Sequence, residues 1–579
     1  MLLSGIIFVS LSYQSNRKTM FKKTDPNPQL DMFTAPSMQL GSRASKKYSD
    51  PNAWHNQFYS LVTTKIDEDI FKPLFPEGKK SGRPNASIRI LVAMSVLKEG
   101  FGCSDEDLFE KCEFDLLTRK ALGLELLTDV PPSIDTYYLF RRRICDYQER
   151  TGIDLMQLCF EHIAGNQVRL LKISGKSVRM DSKLIGSNIA RQSRYELIHT
   201  TLARFLKTCT LTKLSTEQKE RAKAYLEEDS SKTVYRSDSE SLQSSLAIIG
   251  NFIMDMLVAF PETSPEHNLL QRLFDEQYVV KDGKAVLRDK KEVKADSLQN
   301  PNDPDATYRS KNDQKVQGYV TNLTETVEEG KPSIITSVQV ETAVFADCHF
   351  LQEAVKNSER VTNSTIEELY ADGAYQSPDN REFAKNHNAM QLKTGKMQGG
   401  CRWELIPHDE DGLTVREIAT GNTYEAVKAV TKQGNRKRWR VPWNNKTGWR
   451  YFEDKDIKAG LLRKLIESLP LEEQHKRNNV EATVFQYGFH TRNGKTRYRG
   501  LLKHRMHAYS RCMWINLRRM VIFQISTFQR PIFALFGPIR KAFGSFKAIS
   551  QKIFTRGFDC YVSLRMTTLV RQNSKYVPF

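Results

Sequence analysis

The N-terminal stretch 53–165 consists of short segments in which apolar and small residues recur at helical spacing. One such run is formed by Ile88, Leu91, Val92, Ser95 and Val96. Ser104 with Asp107 has the pattern of a capping box, which predicts that a helix begins there. After two consecutive prolines, a further helix is predicted over Thr136–Arg150. The pattern therefore predicts an all-α unit in this part of the chain.

From residue 171 the pattern changes to alternation and β-branched runs, which are typical of strands. Ile334–Val344 is the strongest predicted strand because of its β-branched content. In chain order, the predicted strands and helices are Lys176–Lys183, Val316–Val320, Thr321–Thr326, Ile334–Val344, Ala346–Ser358 (helix), Ile366–Asp372, Pro378–Asn386 (helix) and Met390–Thr394. Strands followed by alternating helices and strands predict an α/β core with a mixed sheet.

Two stretches interrupt this core. A charged, helical insertion is predicted at about 208–300, and a β-rich insertion, in which Trp and Arg are interleaved, at about 398–470. Two helices, over Leu471–Tyr487 and Leu501–Phe523, are predicted to follow. The predicted layout is a flexible arm 1–47, an all-α unit 48–170, the interrupted α/β core 171–525 and a basic tail 526–579.

The charge of the chain is strongly localised. The 579 residues carry a net charge of +19, and the stretch 488–579 holds 18 Lys and Arg against one acid, Asp559, so 17 of the 19 net charges lie there. Such basicity indicates a polyanionic partner. The 9 cysteines include no C-x-x-C pair, which argues against a zinc knuckle or a disulfide framework and favours the reduced thiols of a cytosolic protein.

The basic tail and the residues 2–12 leave a membrane surface as an alternative partner. The tail alternates Phe, Ile and Leu with Arg and Lys, which suits an anionic lipid surface as well as DNA. Residues 2–12 resemble a short signal region, although the chain contains no apolar run of 18 or more residues. A transmembrane helix is therefore not expected. The simpler explanation of residues 2–12 is that the start codon is placed too early and that the protein begins at Met20.

Three arginines lie together on the predicted helix Thr136–Arg150, and two of them, Arg141 and Arg142, are candidate DNA contacts. Several short helices with a basic patch on one of them suit a DNA reader of the helix-turn-helix type. Helices that only pack against one another fit the pattern equally well. From these residues alone, both interpretations stay open.

Three acids lie where a metal site would need them. Asp181 is on the first core strand, Asp372 ends a later strand, and Glu481 is on the helix predicted after the β-rich insertion. Carboxylates at the ends of two adjacent strands and on a facing helix could converge on a pair of Mg²⁺ or Mn²⁺ ions, which prefer oxygen ligands and can promote phosphoryl transfer. Taken singly, each acid is more easily explained as a helix cap or a solvated surface group.

The motifs VRMDSKLIGSNIA, PDATYRSKNDQKVQGYVTNLTET, LYADGAYQS and RNNVEATVFQYG resemble those of bacterial insertion-sequence DDE transposases. YSDPNAWHNQFYSLV and PNASIRILVAMSVLKEGFGCSDEDLF are similar to the InsH-type helical domain of the same group. The resemblance spans roughly residues 48–525 in the family order. It implies an RNase H-like catalytic core, an all-α DNA-binding domain before it, and an acidic triad at Asp181, Asp372 and Glu481.

The sequence departs from that family at two positions. The family often places a Tyr before an Arg–Glu pair and a basic residue seven positions after the Glu. Arg477 and Glu481 keep the spacing of the pair, whereas Gln474 and Gly488 occupy the Tyr and basic positions. Residues four apart share a helical face, so we expect Arg477 to face a phosphate beside a metal-bound Glu481. The basic residues that could replace the missing one are Arg492, Lys495, Arg497 and Arg499.

A second constellation of basic and aromatic residues lies in the β-rich insertion, in the segment NRKRWRVPWNNKTGWRY. Guanidinium groups can pair with phosphates, and Trp faces can stack on unpaired bases. An insertion whose Trp residues form its own core is an equally good explanation. The candidate DNA contacts in this segment are Arg436, Lys437, Arg438, Trp439, Trp443 and Trp449.

Together, the resemblance and the residues predict a DNA transposase that cuts the ends of its element and joins the freed 3′-OH to target DNA with two Mg²⁺ or Mn²⁺ ions. The expected partners are double-stranded DNA, as terminal inverted repeats and as target, and a second copy of the chain that brings two ends together. The expected location is the bacterial cytoplasm, in association with the nucleoid. A catalytically inactive or repurposed DNA-binding derivative is the alternative.

Overall fold

The computed structural model describes residues 21–24, 36–75, 84–261, 264–311, 314–394, 401–408, 412–430, 437–443, 448–468 and 470–542. Its helices are α1 (Pro36–Gln39), α2 (Ser42–Tyr48), α3 (Trp54–Leu61), α4 (Ile88–Phe101), α5 (Asp105–Phe114), α6 (Leu116–Leu122), α7 (Ile134–Thr151), α8 (Leu155–Leu171), α9 (Arg194–Leu206), α10 (Thr216–Glu227), α11 (Ser230–Arg236), α12 (Ser239–Ala259), α13 (Pro265–Gln277), α14 (Leu351–Thr362), α15 (Pro378–Asn386), α16 (Asp454–Glu467), α17 (Leu471–Asn478), α18 (Val480–Gly488) and α19 (Leu501–Ala542). The chain divides into two units, Met1–Leu517 and Arg518–Phe579, and every contact described below lies within the first.

The strands are β1 (Ser177–Gly186), β2 (Tyr278–Lys281), β3 (Lys284–Leu287), β4 (Thr307–Lys311), β5 (Gln314–Thr326), β6 (Ile335–Thr342), β7 (Glu368–Ala371), β8 (Gln391–Thr394), β9 (Trp403–His408), β10 (Gly412–Glu417), β11 (Thr423–Glu425), β12 (Val427–Val430), β13 (Lys437–Trp443) and β14 (Gly448–Glu453). Short 3-10 helices cover Thr63–Lys65, Glu68–Leu74, Leu211–Lys213, Asp347–Phe350 and Gly373–Tyr375.

The N-terminal part of the chain is helical, as predicted. Ser104 and Asp107 form the capping box that opens α5, and the Ser133 side chain accepts the N–H of Thr136 to cap α7. The buried residues of this helical interior include Phe58, Phe71, Val92, Leu97, Phe140 and Ile144. Trp514 of α19 packs against this interior, because its ring lies 5.4–6.3 Å from three aromatic rings of α3 and α4. The first part of α19 is therefore tied to the helical unit.

A mixed sheet follows. Its strand order is β4-β5-β1-β7-β8, with β6 also paired to β5. Strand β5 runs antiparallel to β1, β4 and β6, whereas β7 runs parallel to β1 and to β8. The two strands predicted over Val316–Val320 and Thr321–Thr326 are the single strand β5. The sequence-based prediction of a mixed α/β core is confirmed.

One face of this sheet is covered by α14 and α15. The residues buried between them include Val178 and Met180 of β1, Leu369 and Ala371 of β7, and Leu351, Ala354 and Val355 of α14. Because side chains alternate along a strand, the odd-numbered residues of β1 lie on the opposite face. That opposite face carries the candidate site.

The first insertion is a helical bundle with its own interior. Helices α9–α13 and the hairpin β2–β3 share a cluster of buried residues that begins at Tyr195 and ends at Leu298. The bundle therefore begins at α9, earlier than the predicted boundary near 208, because α9 packs its apolar side into it. Within the described residues, α12 is the one helix long and apolar enough to cross a membrane, and Ile249, Phe252 and Ile253 place one side of it in the bundle interior.

The second insertion contains two three-stranded antiparallel sheets, β11-β10-β9 and β12-β13-β14. Their common interior contains Trp403, Leu405, Leu413, Val415, Trp439, Val441 and Phe452. The single helix predicted over Leu471–Tyr487 is wrong, because the chain breaks it at Asn479 into α17 and α18. The last predicted helix extends beyond Phe523 to Ala542.

Candidate active site

Asp181 and Asp372 stand at the same level of two neighbouring parallel strands. The β1–β7 register ends with Arg179 beside Tyr370, and Asp372 directly follows β7, so Asp181 and Asp372 lie close enough for the charge of Asp372 to act on Asp181. Each carboxylate also accepts the next backbone N–H at 2.7 Å, from Ser182 and Gly373 respectively. Strand pairing therefore brings together two acids that are 191 positions apart in the chain.

The electrostatics of Asp181 fit a functional acid. Burial raises the pKa of Asp181 to about 6, and the negative charge of Asp372 raises it as well, while the Ser182 N–H, Lys311 and Arg477 act in the opposite direction. Removing a carboxylate from water and placing it beside a like charge both disfavour ionisation. A strongly perturbed acid with a specific charge partner is a physical indicator of a functional site.

Arg477 reaches this pair from α17. Its guanidinium lies 3.5 Å from a carboxylate oxygen of Asp372. Arg179, on the same face of β1 as Asp181, donates to the backbone carbonyl of Lys476 at 2.9 Å and so holds α17 against the sheet. Arg477 and Glu481 lie on successive helices, α17 and α18, which meet at Asn479.

Glu481 lies on the first turn of α18 and is exposed. The helix is fixed to the sheet by neighbouring residues: the Thr483 hydroxyl donates to Glu325 at 2.6 Å, and the Tyr487 and Thr321 hydroxyls are 3.1 Å apart. Glu325 is buried and also accepts from Arg179 at 2.6 Å. Glu481 is therefore held beside this face, although it is not enclosed with the aspartates.

The donor set fits a divalent cation only in part. Within the described residues, no group of three or more His, Cys, Asp and Glu side chains could hold a metal ion. Asp181 and Asp372 nevertheless supply hard oxygen donors, and their mutual repulsion favours a cation between them. Two of the three expected ligands are thus brought together, and Glu481 stands apart from them.

Sequence reasoning missed a second charged group near Asp181. Asp347 is buried and lies 3.0 Å from the Arg309 guanidinium and 3.6 Å from the Lys311 ammonium. Arg309 also donates to the carbonyl of Phe345 at 3.1 Å, whereas the Lys311 side chain is 42% exposed and its charge acts on Asp181. The sequence did contain a signal for this group. Arg309 and Lys311 are two positions apart on β4, and residues at this spacing share a face, which indicates a pair of cations on one side of the sheet.

The Trp/Arg segment divides between an interior and a surface. Trp439 is 4% exposed and belongs to the insertion's own core, where it pairs across the sheet with Phe452. Arg438 makes an ion pair with Glu453 at 2.9 Å. Trp449 is 49% exposed, and the Arg440 guanidinium lies 4.3 Å above its ring. Arg436 and the side chains of Lys437 and Trp443 lie outside the described residues.

The two arginines of α7 also differ. The Arg141 guanidinium lies 5.4 Å from the ring of Tyr137 and 5.2 Å from the ring of Tyr498, so it is packed between two aromatic side chains. Arg142 is exposed on the same helix. Of the two candidate DNA contacts, only Arg142 points to solvent without such packing.

Residues 47–143 match the family model described as Transposase domain (DUF772). This segment spans α3–α6 and the first half of α7, and it includes Arg141 and Arg142. Searches of curated proteins and of solved structures found no match to the chain. The helical segment is therefore a transposase domain, which confirms that part of the resemblance.

Proposed function

We propose that this protein is a DNA transposase that cleaves the ends of an insertion sequence and joins the 3′-OH to target DNA by two-metal-ion phosphoryl transfer. The observation that carries the proposal is the placement of Asp181 and Asp372 side by side on parallel strands, in a chain that contains a transposase domain. The mixed sheet, with antiparallel strands on one side of β1 and parallel strands on the other, supports an RNase H-like catalytic core.

In this proposal Asp181, Asp372 and Glu481 hold two Mg²⁺ or Mn²⁺ ions. Such ions, when bound, neutralise charge on the attacking and leaving oxygens of an in-line displacement. Burial raises the pKa of Asp181 because the ionised carboxylate is poorly solvated there. A bound cation would compensate that charge and would replace the proton. The Thr483–Glu325 contact holds the first turns of α18, which carry Glu481, against the sheet.

Arg477 is proposed to bind DNA phosphate. In the free protein its guanidinium lies near Asp372, at the long distance of 3.5 Å. A phosphate offers a guanidinium two charge-assisted hydrogen bonds in fork geometry. With a divalent cation held by Asp372, Arg477 would be available to pair with the phosphate.

Recognition of the element's ends is assigned to the helical transposase domain, with Arg142 as a phosphate contact, and to the exposed Arg440–Trp449 pair of the insertion. Arg436, Lys437, Arg438 and Trp443 remain proposed neighbours of that surface. Transposition joins two ends to one target, so we propose a homodimer that acts on DNA in the bacterial cytoplasm.

The test is Mg²⁺-dependent nicking of linear DNA that carries the segments flanking the element's own gene. Asp181→Asn, Asp372→Asn and Glu481→Gln should bind these ends and fail to cut them. Asp379→Asn is the matched control, because Asp379 is an exposed acid on the nearby helix α15. If the control loses as much activity as the three variants, the assignment of the site is wrong.

A second candidate is a catalytically inactive or repurposed DNA-binding protein. It is favoured by the absence of a three-ligand metal cluster in the described residues and by Gln474 and Gly488 at family positions. This candidate predicts tight binding of the ends without nicking in Mg²⁺ or in Mn²⁺.

A further inference from the structure

The end of α18 lies against the Lys183 side chain of β1. A Cβ atom at position 488 would lie 2.4 Å from Cε and 3.1 Å from Nζ of Lys183. Real carbon atoms do not approach this closely without a shift, so any other residue at 488 would displace the Lys183 side chain. Gly488 therefore provides the space through which the Lys183 side chain passes.

Lys183 shares a face of the sheet with Asp181. The two residues are two positions apart on β1, and side chains at this spacing point the same way. Lys183 lies opposite Thr321 of β5, whose hydroxyl contacts Tyr487 of α18 at 3.1 Å, so α18 covers this part of the face. The ammonium is therefore directed between β1 and α18, on the side of the sheet that holds the two aspartates.

The ammonium of Lys183 lacks a counterion. Lys183 is half-buried, and among the described residues no carboxylate forms an ion pair with it. A partly desolvated cation without a partner costs free energy, which an anionic ligand would recover. The face therefore carries an unneutralised positive charge near its paired acids.

Three of the four basic residues between Gly488 and Gly500 bond to backbone carbonyls elsewhere, and the fourth, Arg492, is exposed. Lys495 donates to the carbonyl of Ile189 at 2.7 Å, Arg497 to that of Gly102 at 2.8 Å, and Arg499 to that of Asn188 at 2.7 Å. These contacts tie the 492–499 loop to other segments. Lys183, unlike Arg492, is half-buried beside the end of α18, and among the described residues it makes no such bond.

We propose that Lys183, whose side chain passes through the space that Gly488 leaves, binds a phosphate of the DNA backbone next to the bond that is cut. The inference rests on the proposed function and adds to it a specific contact. The phosphate would lie at the end of α18, on the face of the sheet that carries the two aspartates. The Lys183 ammonium would neutralise its negative charge. In this arrangement the positive charge comes from the strand, and the helix supplies only the space.

The first test compares wild type with Lys183→Met in two measurements on the same labelled end duplex. The first is nicking in Mg²⁺; the second is binding in Ca²⁺ as a function of salt. We expect Lys183→Met to lower nicking roughly 10- to 100-fold and to reduce the salt slope by about one phosphate contact. Lys315→Met is the control, because Lys315 is an exposed lysine on β5.

The second test moves the charge from the strand to the helix. Lys183→Ala/Gly488→Lys places an ammonium on α18 after removing the side chain that would clash with it. We expect the double variant to nick at least tenfold faster than Lys183→Met and to regain the lost salt slope. Gly488→Lys alone should nick no faster than Lys183→Met. Failure of the double variant to recover either quantity, with its melting temperature unchanged, contradicts the proposal.

The outcomes separate this inference from the proposed function. If Asp181→Asn abolishes nicking while Lys183→Met nicks and binds like wild type, the transposase proposal stands and the role of Lys183 is wrong. If wild type binds the ends but never cuts, the catalytic proposal fails, and the salt slope of Lys183→Met still decides whether Lys183 contacts phosphate.

Discussion

The carboxylate of Glu99 lies 2.6 Å from Nδ1 of His507. Glu99 is near the end of α4 in the transposase domain, and His507 is on α19, so the pair joins elements more than 400 positions apart. Glu99 also accepts from the Tyr498 hydroxyl. The pKa of Glu99 is lowered to about 2: burial opposes ionisation, and the charge and hydrogen bond of His507 outweigh it. This buried pair links the transposase domain to the rest of the first unit.

Glu99→Gln should therefore destabilise the protein by roughly 3 kcal/mol, because removing one partner of a buried pair leaves the other without compensation. The folded pKa lies below the unfolded value of 4.5, so the stabilising effect is present above pH 4.5 and is lost as pH falls toward 2. Urea unfolding of both proteins between pH 3 and 7 measures it. An equal stability of the two proteins at pH 7 would contradict the prediction.

Asp181→Asn should make the protein more stable in the absence of a divalent cation. The folded pKa of Asp181, about 6, exceeds its unfolded value of 3.8, so the ionised side chain lowers stability above pH 6, and this cost disappears as pH falls below 4. By this linkage the gain at pH 7 is about 1–3 kcal/mol. In thermal unfolding, increasing Mg²⁺ should then raise the melting temperature of wild type and leave that of the variant unchanged.

Arg477→Met should raise the pH at which nicking is lost. Arg477 is one of the positive charges that hold down the pKa of Asp181, so its removal raises that pKa above about 6. The acid limb of the pH–rate profile should move to higher pH, and Arg477→Lys, which keeps the charge, should restore its position. An unshifted limb in Arg477→Met would show that another group controls it.

Trp439→Ala should lower stability, whereas Trp449→Ala should lower the affinity for DNA. Trp439 fills the core of the second insertion, so its truncation should cost about 3–5 kcal/mol and unfold that region. Trp449 is exposed under Arg440, so its truncation should leave stability within about 0.5 kcal/mol and weaken binding of single-stranded DNA by about 1–3 kcal/mol. Urea unfolding and fluorescence anisotropy with a labelled oligonucleotide measure the two effects.

The two arginines of α7 offer a similar contrast. Arg142→Ala should weaken duplex binding uniformly across sequences and lower the salt slope by about 1, as expected for a phosphate contact. Arg141→Ala should instead lower stability by about 1–2 kcal/mol, since it removes a guanidinium packed against Tyr137 and Tyr498. A larger loss of DNA affinity from Arg141→Ala than from Arg142→Ala, in folded protein, would reverse the assignment.

The sequence was sufficient for features that depend on neighbouring residues. The capping box at Ser104, the helix over Pro378–Asn386 and the β-branched strand near Ile334–Val344 all appear close to the predicted positions. Backbone preferences and caps act over three to four residues, so a linear pattern contains them. The two insertions were visible for the same reason, since each changes the local periodicity.

The tertiary structure alone decided which distant residues meet and which side chains are exposed. Pairing of β1 with β7 brings Asp181 beside Asp372, and the packing of α17 brings Arg477 to Asp372. The sequence showed arginine and tryptophan clusters but not which members pack inside, because that depends on the elements that cover them. Local propensity therefore determined the elements of this protein, whereas burial and charge between segments hundreds of residues apart determined its site.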